Sequence, residues 1–344
     1  MKFLIYILFL FSFLRLSAQT TLIPSNSSNI ALIGRFDLSE PNKASFMYSG
    51  CTIRTIFSGS SIQILLKEQS SNYYTVILDG QTHILKTNQI DSIYTIAENL
   101  TDQKHQLDII RNTEWSTGNT IFKGFLINHQ SNLFAPARKD RKIEFIGNSY
   151  TCGYGIYGKS HDEHFSYDTE DNYISYGSIT ARNLQAEYTA VCRSGIGMLQ
   201  GYGGSSNFTQ PLLFDEIIQN SKVVWDYHSY QPQVVVIELG TNDISVEVDA
   251  EKFVAAYQQF INKIRGYYPN ATIICAAGPN PGGDKWELMQ KMIHSVVNHF
   301  AKDHVNYFEF RNFVPNGSDW HPNAAEHQKM AKELTAYLKN LMKW

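Results

Sequence analysis

The stretch IEFIGNSYTCGYG, residues 143–155, decides the fold. It joins a largely apolar run, typical of a strand buried on both faces, to a Gly-Asn-Ser turn at which a helix can start. Further apolar runs without alternation follow at YTAVC, VVVIELG, TIICAA and VNYFEF, and helix-length segments lie between them. Strands that alternate with helices predict a parallel sheet covered on both faces. We therefore expect a three-layer α/β/α domain over residues 141–344.

Upstream of that domain, between about residues 29 and 129, the pattern is different. Short runs rich in Ile, Tyr, Phe and Thr often alternate in polarity, and Ser-, Gly- or Asn-rich breaks separate them. About seven strands at this spacing predict an antiparallel β-sandwich, which we place at residues 20–134. Asp79-Gly80 is the clearest hairpin turn, because glycine readily takes the positive φ that such turns require. The short polar stretch APARKDRK then separates the two domains.

The first residues of the chain predict export. A lysine, a short apolar run and the small residues Ser17 and Ala18 follow one another, which is the order of a secretory signal peptide over residues 1–18. An uncleaved membrane anchor is the alternative, although Arg15 and the shortness of the apolar run disfavour it. We expect a mature protein that is secreted, periplasmic or at the cell surface, with no membrane insertion after signal removal.

The composition narrows the choice of partners and cofactors. The 344 residues suffice for two domains. The formal net charge of -3 and the lack of a Lys/Arg-rich stretch disfavour binding to the phosphate backbone, so we expect no nucleic-acid partner. The four cysteines lack CxxC spacing, which disfavours a zinc site. Cys152 and Cys192 are expected near the ends of neighbouring strands, so a disulfide between them and two buried free thiols both remain open. The loop from His161 to His164 is interpreted as solvated and acidic, and we expect no metal and no cofactor.

Four loops that follow predicted strands carry the residues of acyl-transfer chemistry. They contain Ser149, Gly195, Asn242 and, after the last strand, His321. Loops at the carboxyl edge of an open parallel sheet meet in one crevice, so these residues can converge. A serine becomes a nucleophile when an imidazole takes its proton, and amide donors stabilise the resulting oxyanion. We expect Ser149 as nucleophile, His321 as base, and the Ser149 amide, Gly195 and Asn242 as oxyanion-hole donors, with Gly197 as the alternative to Gly195.

The motifs GNSYTCGYG, SGIG, GTND and DWHPN resemble, in this order, the four signature blocks of the SGNH (GDSL-like) hydrolases. The stretch IEFIGNSYTCGYG, the YGG at residues 202–204 and GSDWHPN are similar to the two-domain acetyl esterases of carbohydrate esterase family 2, and GRFD and VILDG resemble the first domain of that group. The resemblance covers nearly all of the mature chain. It implies a jelly-roll sandwich ahead of the hydrolase domain and the site roles given above.

Two positions depart from the family pattern. Asn148 replaces the usual aspartate before the serine, which removes a charge but keeps hydrogen-bonding capacity. The usual acid three residues before the histidine is Ser318 here, whereas Asp319 lies two residues before it. Either Asp319 orients His321 in a triad, or a main-chain carbonyl does so in a dyad, for which Trp320 is the obvious candidate. Trp320 is also either core packing or an aromatic platform for a sugar ring.

The resemblance implies an exported esterase that removes O-acetyl groups from a polysaccharide or oligosaccharide, such as acetylated xylan, glucomannan or single sugars. An SGNH lipase or thioesterase for longer acyl chains is the rival enzyme. A carbohydrate-binding protein with an inactive hydrolase domain is the rival from another class, although intact Ser149, Asn242 and His321 speak against it. We also expect activity to fall between neutral and mildly acidic pH as His321 becomes protonated.

Overall fold

The computed structural model describes residues 20–88, 90–219, 221, 223–279, 282–300, 303–311 and 313–344. The predicted signal peptide lies outside these ranges. Within them, no helix combines the length and the apolar character that a bilayer crossing requires.

The N-terminal domain is built from antiparallel strands. Those that the structure describes are β1 (Thr20–Pro24), β2 (Ile30–Ile33), β3 (Ala44–Phe46), β4 (Thr52–Ser58), β5 (Ile62–Glu68), β6 (Tyr73–Leu78), β7 (Gln81–Lys86), β8 (Asp91–Ala97), β9 (Lys104–Arg111), β10 (Thr120–Asn128) and β11 (Leu133–Phe134). One sheet has the order β1-β10-β5-β8, with β3 also on β10, and the other has the order β11-β4-β9-β6-β7, with β2 also on β4. Alternate side chains such as Ile62, Ile64 and Leu66 are buried between the sheets.

The Asp79-Gly80 hairpin is confirmed. Leu78 pairs with Gln81, so the loop has two residues, and both have positive φ, +49° at Asp79 and +84° at Gly80. These angles match the right-handed twist of the flanking strands. The Asp79 carboxylate also accepts a hydrogen bond from the Gln106 amide at 2.8 Å, which ties the turn to the neighbouring strand.

The second domain has a five-stranded parallel sheet with helices on both faces. Its described strands are β12 (Arg141–Gly147), β13 (Ala186–Cys192), β14 (Val234–Glu238), β15 (Thr272–Ala277) and β16 (Val305–Glu309), in the order β13-β12-β14-β15-β16. Its described α-helices are α1 (Ser149–Cys152), α2 (Tyr176–Asn183), α3 (Gln210–Leu213), α4 (Ala250–Tyr267), α5 (Asp284–His299) and α6 (Ala324–Met342). The predicted α/β/α architecture is confirmed, because α2 and α6 pack on one face of the sheet and α4 and α5 on the other.

Helix α6 fixes the position of the residue that precedes it. Asn323 caps the helix by accepting from the Glu326 amide at 3.1 Å, and the Glu326 carboxylate accepts from the Asn323 amide at 2.7 Å. This reciprocal pair satisfies two amides that the first turn would otherwise leave free. Since His321 lies two residues before Asn323, the cap anchors the loop that carries the predicted base.

A buried ion pair and buried hydrogen bonds join the two domains. Arg35 of the sandwich lies 3.7 Å from Glu144 of β12, with both side chains almost fully buried, and it also donates to the carbonyl of Phe214. Arg193, directly after β13, donates to the hydroxyl of Tyr48 at 2.6 Å. Because removing Glu144 would leave the Arg35 charge buried and uncompensated, this ion pair favours the observed arrangement of the two domains.

Cys152 and Cys192 are free, buried thiols in the structure. The Sγ of Cys152 lies 3.7 Å from a carboxylate oxygen of Glu114, and the Sγ of Cys192 lies 3.3 Å from the hydroxyl of Ser49. Burial raises the pKa of the Cys152 thiol, which keeps it protonated and unreactive.

Candidate active site

A tight turn at the end of β12 presents Ser149. Asn148 caps α1 by accepting from the Tyr150 amide at 2.9 Å, and the short helix ends at Gly153, which has a φ of +88°. A Cβ at Gly147 would lie 2.1 Å from Oγ1 of Thr151, so only glycine fits before the turn. The sequence GNSYTCG therefore folds locally into a sharp strand-to-helix connection at the carboxyl edge of the sheet.

Ser149 and His321 are brought together, as predicted. The Nε2 of His321 lies 2.8 Å from the Oγ of Ser149, although 172 positions separate them in sequence. The imidazole ring is held between two aromatic rings, with its centroid 5.3 Å from that of Tyr150 and 4.2 Å from that of Tyr154. The 2.8 Å separation of Nε2 and Oγ is within hydrogen-bond reach, so the hydroxyl can transfer its proton to the imidazole.

The other ring nitrogen of His321 faces the main chain. Its Nδ1 lies 3.1 Å from the carbonyl oxygen of Ser318 and 3.0 Å from that of Asp319. Since carbonyl oxygens only accept, Nδ1 carries the proton and Nε2 is free to accept one from Ser149. The geometry is that of a Ser-His dyad, and the expectation that Trp320 supplies the carbonyl is wrong.

The carboxylate of Asp319 points away from the imidazole. Its Oδ2 accepts from the Tyr154 hydroxyl at 3.0 Å and from the Phe165 amide at 2.9 Å, and its Oδ1 lies 3.0 Å from Nδ1 of His164. The triad arrangement, with the Asp319 side chain on His321, is therefore not the one that the structure has. The left-handed backbone at Asp319, with a φ of +49°, turns its carbonyl rather than its side chain toward the ring.

The protonation equilibrium of His321 is strongly displaced. Burial lowers its pKa to about 4, because the cation loses hydration, and the carbonyls of Asp319 and Ser318 oppose this shift only in part. The imidazole is therefore neutral, and able to act as a base, at mildly acidic pH. The expected loss of activity between neutral and mildly acidic pH does not agree with this environment.

The loop after β13 carries the candidate oxyanion donors. Gly195 is half-buried and has a φ of +80°. A Cβ there would meet nothing closer than 3.8 Å, so the positive φ, and not a lack of space, is the reason for glycine at this position. Gly197 is buried, and a Cβ there would lie 1.8 Å from the Gln200 carbonyl oxygen, so close packing accounts for this glycine. Gly195 stays the predicted oxyanion donor, with Gly197 as its alternative.

Asn242 and Asp243 organise the same loop from the end of β14. The Asn242 side-chain amide donates to the Ile196 carbonyl at 2.7 Å, which leaves its second N–H for a ligand. The Asp243 carboxylate accepts from three consecutive amides at 2.9, 2.7 and 3.0 Å, those of Met198, Leu199 and Gln200. Asp243 thus holds the loop in shape, although the sequence analysis gave it no role.

The sandwich domain also contacts this loop, and the sequence analysis missed that contribution. Oε2 of Glu114 accepts from the Ser194 amide at 2.7 Å, and the ring centroid of Trp115 lies 5.6 Å from that of Phe208. Glu114 belongs to a break between two strands of the other domain, so no local pattern marks it. Glu114, Cys152 and Glu170 are also the one group with metal-ligand spacing among the described residues.

Two exposed aromatic residues lie beside the site. Trp320, next to His321, is 56% exposed, and one face of its indole stacks on the His161 ring at 3.7 Å. Tyr202 is 72% exposed, and its amide donates to the Gly195 carbonyl at 2.8 Å. The exposure of Trp320 does not agree with core packing and leaves one face of its ring for a ligand.

The parallel α/β/α sheet, with Ser149 and His321 hydrogen-bonded over its carboxyl edge and the SGIG and GTND motifs in the neighbouring loops, has the features of the SGNH-hydrolase class. The comparison with known families agrees: residues 32–136 match the carbohydrate esterase 2 N-terminal domain, and residues 145–329 match the GDSL-like lipase/acylhydrolase family. The chain therefore belongs to the GDSL-like lipase/acylhydrolase family and carries the N-terminal domain of family 2 carbohydrate esterases.

Named relatives are similar over most of the chain. The cellulase/esterase CelE of Acetivibrio thermocellus is 38% identical over 322 residues, which cover 90% of this chain but 39% of that protein. An acetylxylan esterase/glucomannan deacetylase of Cellvibrio japonicus is 28% identical, covering 96% of this chain and 93% of its own length. A family two carbohydrate esterase from Clostridium thermocellum, solved in complex with cellohexaose, is 38% identical with a TM-score of 0.86, covering 92% of this chain and 99% of that chain.

Proposed function

We propose that this chain is an exported esterase that removes O-acetyl groups from carbohydrate through an acyl-enzyme on Ser149. The observation that carries the proposal is the 2.8 Å contact between Nε2 of His321 and Oγ of Ser149. That contact supplies the base that a serine hydroxyl needs in order to attack an ester. The predicted signal peptide over residues 1–18 supports export.

The reaction has two halves. His321 takes the proton of Ser149, whose oxygen attacks the acetyl carbonyl, and the amides of Ser149 and Gly195 with the side chain of Asn242 stabilise the oxyanion. The imidazolium returns the proton to the sugar oxygen as the acetyl-enzyme forms and the sugar leaves. His321 then takes a proton from water, whose oxygen attacks the acetyl-enzyme. Acetic acid leaves when the proton returns to Ser149, and it then ionises to acetate in water.

The main-chain carbonyls behind the imidazole support this cycle. They lie 3.0 and 3.1 Å from Nδ1, so they accept its proton in the tautomer that leaves Nε2 basic. They also face the positive charge that develops on His321 during each half-reaction. No side-chain carboxylate is needed in contact with the ring for either purpose.

A carbohydrate substrate is supported by the surroundings of the site and by the relatives. Trp320 and Tyr202 offer exposed aromatic faces next to His321 and Gly195, and sugar rings present apolar C–H faces that stack on such rings. The similar Cellvibrio japonicus protein is an acetylxylan esterase/glucomannan deacetylase. These observations favour an acetylated polysaccharide or oligosaccharide over a lipid.

The test is a time course of acetate release from acetylated xylan, acetylated glucomannan and acetylated single sugars. Ser149→Ala, which removes one oxygen, is the matched blank. We expect release by the native protein and none above background by the variant. Equal, low release by the two proteins would contradict the esterase and support a carbohydrate-binding role.

The acyl specificity is tested with p-nitrophenyl acetate and p-nitrophenyl octanoate. We expect kcat/KM for the acetate to exceed that for the octanoate by about tenfold or more, which corresponds to about 1.4 kcal/mol in the transition state. An equal or higher value for the octanoate would point to a lipase or thioesterase for longer chains.

A further inference from the structure

Two consecutive residues before His321 adopt a backbone conformation that side chains disfavour. Asp319 has a φ of +49° and Trp320 has a φ of +61°, and neither is glycine. Residues with a Cβ are uncommon in this left-handed region, because the Cβ crowds the carbonyl oxygen. The conformation turns the Asp319 carbonyl toward Nδ1 of His321, at 3.0 Å, so its maintenance matters for the imidazole.

The Asp319 side chain holds this turn in place. Its carboxylate accepts from the Tyr154 hydroxyl at 3.0 Å and the Phe165 amide at 2.9 Å, and it lies 3.0 Å from the ring of His164. The Asp319 amide donates to the Glu163 carbonyl at 3.0 Å. The residue is thus fixed at both its side chain and its main chain by the segment from Tyr154 to Phe165.

The contacts of the Asp319 carboxylate with Tyr154 and Phe165 form a clamp on the turn, and Tyr154 links this clamp to the imidazole directly. Its ring stacks on Phe165 with centroids 3.9 Å apart and also lies 4.2 Å from the His321 ring. Burial and the neighbouring Asp319 raise the pKa of the Tyr154 hydroxyl, so it remains protonated and donates. One side chain therefore contacts both the base and the residue that orients the base.

We propose that Asp319 and Tyr154 are positioning residues that act through the main chain. The carboxylate of Asp319, held by Tyr154, fixes the left-handed turn that directs the carbonyls of Ser318 and Asp319 at Nδ1 of His321. This inference rests on the proposed role of His321 as base. It assigns Asp319 a function that differs from that of a triad acid, whose carboxylate would contact the ring.

A comparison of Asp319→Gly with Asp319→Ala separates the two roles. Both variants lose the carboxylate, but glycine takes a positive φ freely and alanine does not. A positioning role predicts a kcat for Asp319→Gly about tenfold or more above that for Asp319→Ala. A triad acid predicts that both variants are equally slow, by roughly 10⁴-fold. Equal kcat values for glycine and alanine would overturn the proposal.

Asp319→Asn and Tyr154→Phe test the clamp with smaller changes. Asparagine keeps an oxygen that accepts from Phe165 and Tyr154, so we expect its kcat to stay within about tenfold of the native value. Tyr154→Phe keeps the ring on His321 and loses the donor, and we expect a lower kcat with an unchanged KM for p-nitrophenyl acetate. An Asp319→Asn variant as slow as Asp319→Ala, although folded by circular dichroism, would contradict the clamp.

A spectroscopic measurement makes the test independent of ester hydrolysis. The Nδ1 proton of His321, bonded to carbonyls, should give a low-field proton resonance in the native protein and in Asp319→Gly, broadened or lost in Asp319→Ala. His321→Gln identifies the signal by removing it. If the native protein shows the resonance but no esterase activity, the proposed function fails and the clamp stands. A resonance that is unchanged in Asp319→Ala refutes the clamp.

Discussion

Oε2 of Glu114 in the sandwich domain accepts a 2.7 Å hydrogen bond from the amide of Ser194 in the hydrolase domain. Ser194 directly precedes Gly195, the candidate oxyanion donor. The Glu114 side chain is buried, and Glu114 and Ser194 therefore tie the sandwich to the loop that carries this candidate donor. The first domain contributes to the geometry of the site as well as to the size of the molecule.

Replacing Glu114 with alanine should lower kcat more than it changes KM. The Ser194 amide would lose its acceptor in a partly buried setting, at a cost of about 1 kcal/mol or more, and the Gly195 amide would lose its fixed direction. We expect a fall in kcat for p-nitrophenyl acetate of roughly tenfold to a hundredfold. Glu114→Gln, which keeps an accepting oxygen, is the control and should stay near the native rate. Equal losses in both variants would mean that charge, not the hydrogen bond, matters.

The pH profile should be flat over a wide acidic range. The pKa of His321 is lowered to about 4, so the imidazole is neutral above that pH and protonated below it. Since only the neutral ring takes the proton of Ser149, kcat/KM should be constant from about pH 7 to pH 5 and fall below about pH 4. Initial rates with p-nitrophenyl acetate, beside circular dichroism at each pH, separate titration from unfolding. A midpoint near 6.5 in the folded protein would show that His321 is hydrated like a free imidazole.

The Asn148 side chain contacts the buried carboxyl group of Glu238 beneath the nucleophile. Its Nδ2 lies 3.5 Å from Oε1 of Glu238, whose pKa is raised by burial. Asn148→Asp would place a second carboxyl group in this buried setting, where desolvation and the Glu238 carboxyl group disfavour its charged form. We expect this to lower the free energy of unfolding by about 1–3 kcal/mol at neutral pH. Denaturant unfolding at pH 7 and pH 5 measures this, and the loss should shrink at pH 5. Adding Glu238→Gln should restore stability; no restoration would contradict the pairing.

Trp320 should affect the binding of polymers more than the chemistry. Its exposed indole face is next to His321, so Trp320→Ala should raise KM for acetylated glucomannan by roughly threefold to tenfold, as expected from a lost ring contact. The kcat for p-nitrophenyl acetate should change much less. Trp320→Tyr keeps an aromatic face and serves as the control. If alanine lowers kcat for the small ester as strongly as it affects the polymer, Trp320 acts through the turn instead.

The sequence was sufficient for the elements whose signal is local or periodic. Buried strands that alternate with helices specify the parallel sheet. Because the loops after such strands meet at one edge of the sheet, Ser149 and His321 could be predicted to lie close together. The Asp79-Gly80 turn was predictable because two-residue hairpins demand positive φ. The short strands β1, β3 and β11 were missed, since two to five residues carry too little alternation to be recognised.

The orientation of the base could not be predicted from the sequence. Whether Asp319 offers its carboxylate or its carbonyl depends on a positive φ, and that angle depends on Tyr154 and Phe165, more than 150 positions away. Glu114 was missed for the same reason, because its partner Ser194 belongs to another domain. The low pKa of His321 follows from its burial. The sequence DWHPN is typical of a loop at the surface and does not indicate that burial.

The acceptor for the Nδ1 proton of His321 is a peptide oxygen, which every amino acid brings with it. A point mutation in the gene can delete a carboxylate, but it cannot delete a main-chain carbonyl. The acceptor for His321 therefore depends on the conformation of the loop and not on the identity of one side chain. Sequence comparisons that require an acid three positions before the histidine will therefore misclassify such proteins as defective. Their competence should be judged from the backbone instead.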